Sequence, residues 1–203
     1  MDKAVKEALA PKGVLRAGIN LSNFLLVSGK LLDGTPEGIS PDLAKRIAKE
    51  IDAPCEFVSF DRPGDLADAV DMDFWDIGNI AFETERAQTI DFSIPYVLID
   101  ANFLVRKDAA FTTNSEVDKV GIRIAVSERT AYDLWLKNHF KNAEVIRSKS
   151  IQDSHEKFLH GEADVLASLK PKLLNEFSSS NEYRIIQTPF TAVKQSVGVR
   201  KGK

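Results

Sequence analysis

Between Gly78 and Tyr96 the chain reads GNIAFETERAQTIDFSIPY, and a single arginine, Arg86, sits there among Glu83, Glu85 and Asp91. A guanidinium is a permanent cation whose planar fork of donors matches a carboxylate in a two-pronged grip. Two uses of Arg86 are open: a surface pair with Glu83 or Asp91, or capture of a carboxylate ligand. Few other residues offer chemistry. Cys55 is the single cysteine, which excludes an internal disulfide and reads as a small buried hydrophobe. Of the three histidines, His155 and His160 lie five residues apart, poor helical registry for a two-ligand site. No metal is expected, and no cofactor.

The elements around Arg86 read as a strand-to-helix corner. Asp76 to Ala81 is strand-like, and Glu83 to Ala87 reads as the first turn of a short helix. Acidic residues suit that turn because its unpaired N–H groups carry partial positive charge. Pro95 then pushes Ile94 out of the helical region, so the chain must extend toward Tyr96.

With 203 residues, 43% hydrophobic and 28% charged, the composition is that of a globular protein of one large or two small domains. A formal net charge of −3 gives no sign of nucleic acid as a partner. No apolar run approaches the roughly 20 residues of a membrane helix. The start, MDKAVKEALAPKG, lacks the apolar core and small-residue cleavage site of a signal peptide. Either the protein stays in the cytoplasm or Met1 replaces a removed leader.

Hydrophobic periodicity places the elements. Lys3 to Leu9 is a short helix stopped by Pro11 and Gly13. Val14 to Ile19 is a first strand, ending in the polar loop that holds Asn20 and Asn23. Lys30 to Pro36 is a hairpin tip. A helix is expected from Ser40 as cap with Pro41 at its first position, its apolar face formed by Leu43, Ala44, Ile47, Ala48 and Ile51. Glu56 to Phe60 is the second strand, Asp65 to Val70 a short helix, and Asp76 to Ala81 the third strand. Ala101 to Val105 is another strand, followed by a loop from Ala109 to Lys119.

The pattern then restarts: strand Gly121 to Val126, polar turn Ser127 to Thr130, helix Ala131 to Phe140, strand Glu144 to Ile146, helix Ser150 to His160. Strand Ala163 to Ala167, helix Pro171 to Phe177, strand Tyr183 to Ile186 and a last segment Gln195 to Lys201 complete it. Strand–helix alternation points to mostly parallel sheets covered by helices, with ligands bound beyond the carboxyl ends of the strands. Two lobes are expected, 1–105 with 195–203 and 106–194, with crossovers near Val105 and Gln195.

Leu15-Arg16-Ala17-Gly18-Ile19, Asp42 to Ala48, Glu85-Arg86-Ala87 with Asp91 to Tyr96, Leu104 to Lys107 and Val197 to Lys201 occur in order. Together they resemble the periplasmic solute-binding proteins of family 3, the polar amino-acid type of ABC importers, over nearly the whole chain. The resemblance implies a type II, two-lobed periplasmic binding protein-like α/β fold, hinged by two crossover strands and closing on a small ligand. It also implies a periplasmic location, a membrane ABC permease as partner and a monomer.

By the same resemblance Arg86 grips the ligand carboxylate, helped by the backbone amide of Ala81, with Asn79 on the same loop. Asn20 and Asn23 line the pocket, and Phe60 packs on the ligand side chain. Thr130 meets the carboxylate from the second lobe at a helix start, a geometry suited to anions. Read from the residues alone, Thr130 is equally a helix cap, Phe60 a core residue, and the two asparagines turn formers.

Three positions depart from the family pattern. Ala81 lacks a hydroxyl, Arg129 stands in place of glycine, and Leu169 stands where an acid should hold the ligand ammonium. Burying an unpaired ammonium costs several kcal/mol. The ligand therefore either lacks a free α-amine or uses another acid, such as Glu128. The sequence also stops just after the second crossover, where family members usually add a helix. The alternative function on this fold is a cyclohexadienyl dehydratase-like enzyme, which needs a pocket acid; Glu83, Glu128 and Asp133 are candidates by position only.

Overall fold

The computed structural model describes Lys3–Lys203. In chain order the first run is α1 (Lys3–Leu9), β1 (Leu15–Asn20), β2 (Gly29–Lys30), β3 (Pro36–Glu37), α2 (Ile39–Glu50), β4 (Cys55–Phe60), α3 (Pro63–Asp68), β5 (Ile77–Ala81), β6 (Ile90–Phe92) and β7 (Val97–Arg106). The second run is α4 (Asn114–Val117), β8 (Arg123–Ser127), α5 (Ala131–His139), β9 (Glu144–Ser148), α6 (Ile151–Leu159), β10 (Val165–Leu169), α7 (Lys170–Phe177), β11 (Tyr183–Ile185) and β12 (Thr191–Arg200).

The chain divides into two compact units, Met1–Val97 with Gln195–Lys203, and Leu98–Lys194. The crossover expected near Val105 and the division at Val97 both fall on β7. In the first unit β1 lies between β4 and β5, parallel to both. The end of β12 runs antiparallel to β5 and then to β6. In the second unit β8 lies parallel between β9 and β10, while β7 runs antiparallel to β10 and β11 antiparallel to β7. Each unit thus has the expected α/β character, with a parallel three-stranded core, β4-β1-β5 or β9-β8-β10, flanked by antiparallel strands rather than the mostly parallel sheet expected.

Four boundaries differ from expectation. Helix α2 starts at Ile39 with Gly38 as its cap, and the Ser40 hydroxyl instead meets the Tyr96 hydroxyl at 3.2 Å. The helix expected from Glu83 shrinks to a 3₁₀ turn, Arg86–Gln88, because β6 begins two residues later to pair with β12. Strand β7 extends back to Val97, four residues before the strand expected at Ala101. Inside the expected loop after Ala109, Thr113 and Glu116 close a capping box and wind the single turn of α4.

The same device ties the first and third parallel strands in both units. Arg16, in β1, gives its backbone N–H and Nε–H to Asp76 Oδ2 at 3.0 and 2.9 Å and Nη2 to Oδ1 at 2.9 Å. Asp76 N–H returns a bond to the Arg16 carbonyl at 2.8 Å. Arg123, opening β8, repeats this with Asp164 just before β10, at 2.9, 3.1 and 2.8 Å, with the same return bond at 2.9 Å. The environments differ: the Asp76 side chain is 1% exposed and the Asp164 side chain 35%. Burial would raise the Asp76 carboxyl, but the bonds from Arg16, with Lys203 nearby, hold it below its ordinary value.

Above the first clamp two glycines face each other in register, Gly18 opposite Gly78. Trp75 lies across them, so that a Cβ on either would stand 3.2 Å from the indole ring. The indole N–H donates to the Leu66 carbonyl at 3.0 Å, and Leu66, Ala69, Val70, Ile80 and Ile90 complete this core. A second core in the unit joins Leu15, Ala17, Ile19, Ala44, Ala48, Ile51 and Ile77, with Cys55 packed at its edge as a half-buried thiol that burial pushes up.

Asp76→Asn removes the buried anion of the clamp, leaving Arg16 only its Asp73 partner, and should cost about 3 kcal/mol of unfolding free energy, while Asp164→Asn should cost no more than about 1 kcal/mol, both read by urea unfolding. The Asp76 contribution is present above the ordinary carboxyl value of 3.8 and is lost as pH falls below it. Gly38 has φ 130°, and a Cβ there would stand 2.6 Å from the Leu26 carbonyl oxygen. Gly38→Ala should therefore lower stability by roughly 3 kcal/mol, the combined cost of backbone strain and a clash with fixed backbone.

Candidate functional site

At the carboxyl end of β5 in the first unit, Ala81 closes the strand opposite Gln195 and is buried. Its carbonyl accepts a hydrogen bond from Arg86 Nη1 at 2.9 Å. The Arg86 side chain folds back from the 3₁₀ turn onto the strand end and is only 5% exposed. A surface arginine is thereby ruled out, since a buried guanidinium must be compensated by acceptors. The polar corner thus holds a fixed cation at a strand terminus, where α/β sheets place ligands.

Asn79 is not on the loop but within β5, paired with Ile19 and Val197 and 3% exposed. Its Nδ2 donates to the Ser40 carbonyl in the first turn of α2 at 2.8 Å, and its Oδ1 is buried without a hydrogen-bond partner. Asn20 ends β1, and its Oδ1 accepts from Ser22 N–H and hydroxyl at 3.1 and 2.8 Å. Asn23 is buried and accepts from Leu25 N–H at 3.3 Å. Both asparagines close turns with their own side chains. Phe60, half-buried at the end of β4, packs against the core around Leu66 and Trp75.

In the second unit Thr130 caps α5. Its hydroxyl accepts from Asp133 N–H at 3.2 Å and donates to the Ser127 carbonyl at 2.8 Å. Arg129 is exposed and takes φ 59°, the left-handed region that favours glycine. The strain is offset by its backbone N–H, which donates to Asp133 Oδ2 at 2.7 Å. Asp133 is 3% exposed and also takes Arg147 Nε on Oδ1 at 2.8 Å. Leu169 ends β10 at 9% exposure and leads straight into α7 with no carboxylate at the strand end.

Sequence reasoning passed over Tyr132 and gave Asp133 no structural role. Threonine followed three residues later by aspartate is a variant of the helix-start signature, and Asp133 uses its carboxylate to order the turn before the helix. Tyr132 is fully inside, where burial pushes its hydroxyl up to about 12. Among the described residues no cluster of three or more metal-ligating side chains occurs.

Residues 29–202 match the bacterial extracellular solute-binding proteins, family 3, and the chain belongs to that family. The L-cystine-binding protein TcyJ of Escherichia coli K12 is 23% identical over 204 residues, covering 99% of this chain and 76% of that protein. Among solved structures, the ancestral amino acid-binding protein AncCDT-1, a precursor of cyclohexadienyl dehydratase, superposes with a TM-score of 0.75 at 24% identity. That match covers 98% of this chain and 86% of that one. The amino acid ABC transporter substrate-binding protein AbpA of Streptococcus pneumoniae, bound to L-arginine, gives 0.77 at 18% identity, covering 97% and 85%. These structures share the fold.

The cap at Thr130 carries its own prediction. Thr130→Ala removes the acceptor for Asp133 N–H, and a stability loss of about 1 kcal/mol is expected in denaturant unfolding. A loss below about 0.3 kcal/mol would mean that water replaces the hydroxyl without cost.

Proposed function

We propose that this chain is the substrate-binding component of an ABC importer and that it takes a small carboxylate-bearing solute at the corner formed by Ala81 and Arg86. The observation that carries the reading is the buried Arg86 guanidinium, held by the Ala81 carbonyl at a strand terminus. Relatives named as L-cystine- and amino acid-binding proteins support a ligand of amino-acid size. In this reading the backbone of Ala81 adds a donor, and Asn79, Asn20, Asn23 and Phe60 shape the first unit's share. Thr130 and Arg129 stand at the start of α5 in the second unit. The protein acts outside the cytoplasmic membrane as a monomer and hands its ligand to a membrane permease.

Leu169 bears on the ligand itself. An alkyl side chain at the end of β10 offers an ammonium group nothing to pair with, which favours a carboxylate without a free α-amine. The dehydratase alternative is less well supported. Of its candidate acids, Asp133 has both carboxylate oxygens engaged as acceptors, by Arg147 and by the Arg129 backbone, in a helix-ordering role.

A thermal-shift screen of wild type and Arg86→Ala tests this. The panel pairs each amino acid with its des-amino analogue and adds prephenate and arogenate. A ligand at a hundred times its dissociation constant adds about 2.7 kcal/mol. A carboxylate that stabilises wild type and not the variant is the expected outcome, with the des-amino member of its pair the stronger. Equal response of the two proteins would remove Arg86 from the site, and preference for the amine would overturn the inference from Leu169.

A further inference from the structure

A recess of about 560 Å³ lies within the second unit, between the loop 112–115 and the segment 184–188. It shares no residue with the corner at Ala81 and Arg86 or with the start of α5. One lining residue is a cation, Arg184 on β11, and none is an acid. Arg184 Nε donates to the Lys107 carbonyl at 3.2 Å, and Nη2 to the carbonyls of Ala109 and Phe111 at 2.8 and 2.7 Å. Three carbonyls fix the plane of the guanidinium, but they are neutral dipoles and leave its charge in place. Among the described residues no carboxylate pairs with Arg184, and its Nη1 has no acceptor.

The backbone adds a second donor. Ile186 N–H bonds the Phe103 carbonyl and Lys107 N–H the Glu182 carbonyl, each at 2.8 Å. Bonded and non-bonded pairs alternate along an antiparallel ladder, so Ile185, opposite Leu104, turns its N–H and C=O away from β7. β11 pairs with β7 alone among the described strands, which leaves the Ile185 N–H without a ladder partner. Its carbonyl meets Gln187 Nε2 at 3.5 Å. The exposed Thr188 hydroxyl is a third donor, and the Thr188 carbonyl receives Asn114 Nδ2 at 3.2 Å, joining the two walls.

The carboxylate of this region is turned elsewhere. Glu116, on α4, does not line the recess, and its Oε2 takes the backbone N–H groups of Thr112 and Thr113 at 2.8 and 2.9 Å together with their hydroxyls. Asn114 Oδ1 is buried, so it presents no accessible acceptor. We propose that this recess is a second binding site, one that takes a small oxygen anion on Arg184 Nη1 with the Ile185 N–H and the Thr188 hydroxyl as neutral donors. Both a carboxylate and a tetrahedral oxoanion carry the acceptor oxygens that such a set of donors recognises. The site rests on no residue of the carboxylate corner in the first unit.

The test is an NMR titration of the nitrogen-labelled full chain with sodium phosphate, sodium sulfate and sodium acetate, each against sodium chloride at matched ionic strength. The Ile185 N–H is the reporter, in wild type, Arg184→Gln and Thr188→Val. A saturable shift is expected in wild type, weakened about tenfold or more by Arg184→Gln and about threefold by Thr188→Val, because the first bond is charge-assisted and the second is not. Saturation by phosphate and sulfate alone assigns the site to inorganic oxoanions, and by acetate alone to organic carboxylates; saturation by all three assigns it to the shared oxygen-anion chemistry. A shift no larger than that in chloride, one that never saturates, or equal affinity in Arg184→Gln overturns the proposal. Should Arg184→Gln fail to fold, since it releases three carbonyls, Thr188→Val decides, with unchanged affinity overturning it. Arg86→Ala should keep the wild-type response at Ile185; its loss there would assign the response to the first-unit corner and overturn the second site. A failed ligand screen at Arg86 leaves this site standing.

Discussion

The interaction on which both units depend is the bond pattern between an arginine early in the opening strand and an aspartate just before the third. Arg16 with Asp76 and Arg123 with Asp164 make the same set of contacts, backbone to carboxylate, side chain to carboxylate, and backbone back to backbone. A parallel pair has no tight turn to set its register. Here charge sets it: a slip of one residue would leave a carboxylate without its donors. The pairings of Ala17 with Ile77 and of Val165 with Ile124 follow from these anchors.

The clamps lie at the amino ends of the strands, and this leaves the carboxyl ends to other uses. Asn20, Ala81, Ser127 and Leu169 all terminate strands there, and in each unit the loops beyond them hold the candidate residues. Much of the polar chemistry at those ends is already engaged in building the loops. Asn20 and Asn23 close turns, Thr130 caps a helix, and Asp133 orders the turn ahead of it. Arg86 is engaged as well, its buried guanidinium donating to the Ala81 carbonyl at the end of β5.

The sequence pattern made the α/β alternation legible because parallel strands buried on both faces read as short apolar runs between amphipathic helices. Leu15 to Ile19, Ile77 to Ala81 and Val165 to Leu169 are such runs, and the burial of Ala44, Ala48 and Ile51 follows the helical face read from α2. What could not be read was set by distant partners. The resemblance puts Asn79 on a loop, whereas the residues read as strand from Asp76 to Ala81, and its bond to the Ser40 carbonyl, 39 residues away, has no local signal. The start of α2 lies at Gly38, whose backbone packs against that of Leu26 and Ser28 with no room for a side chain. The buried environment of His155 depends on Glu176 and Ser168, 21 and 13 residues away in sequence, and no local pattern announces it.

The chain has two tryptophans, and each belongs to a different unit. Trp75 lies 4% exposed across the paired glycines, its N–H on a carbonyl, whereas half-buried Trp135 stacks on the His139 ring at 4.0 Å with 6° between planes. Their emission should therefore differ in colour and in sensitivity to quenchers. The molecule thus contains its own pair of optical reporters, through which loosening of one unit can be watched separately from loosening of the other without any added label.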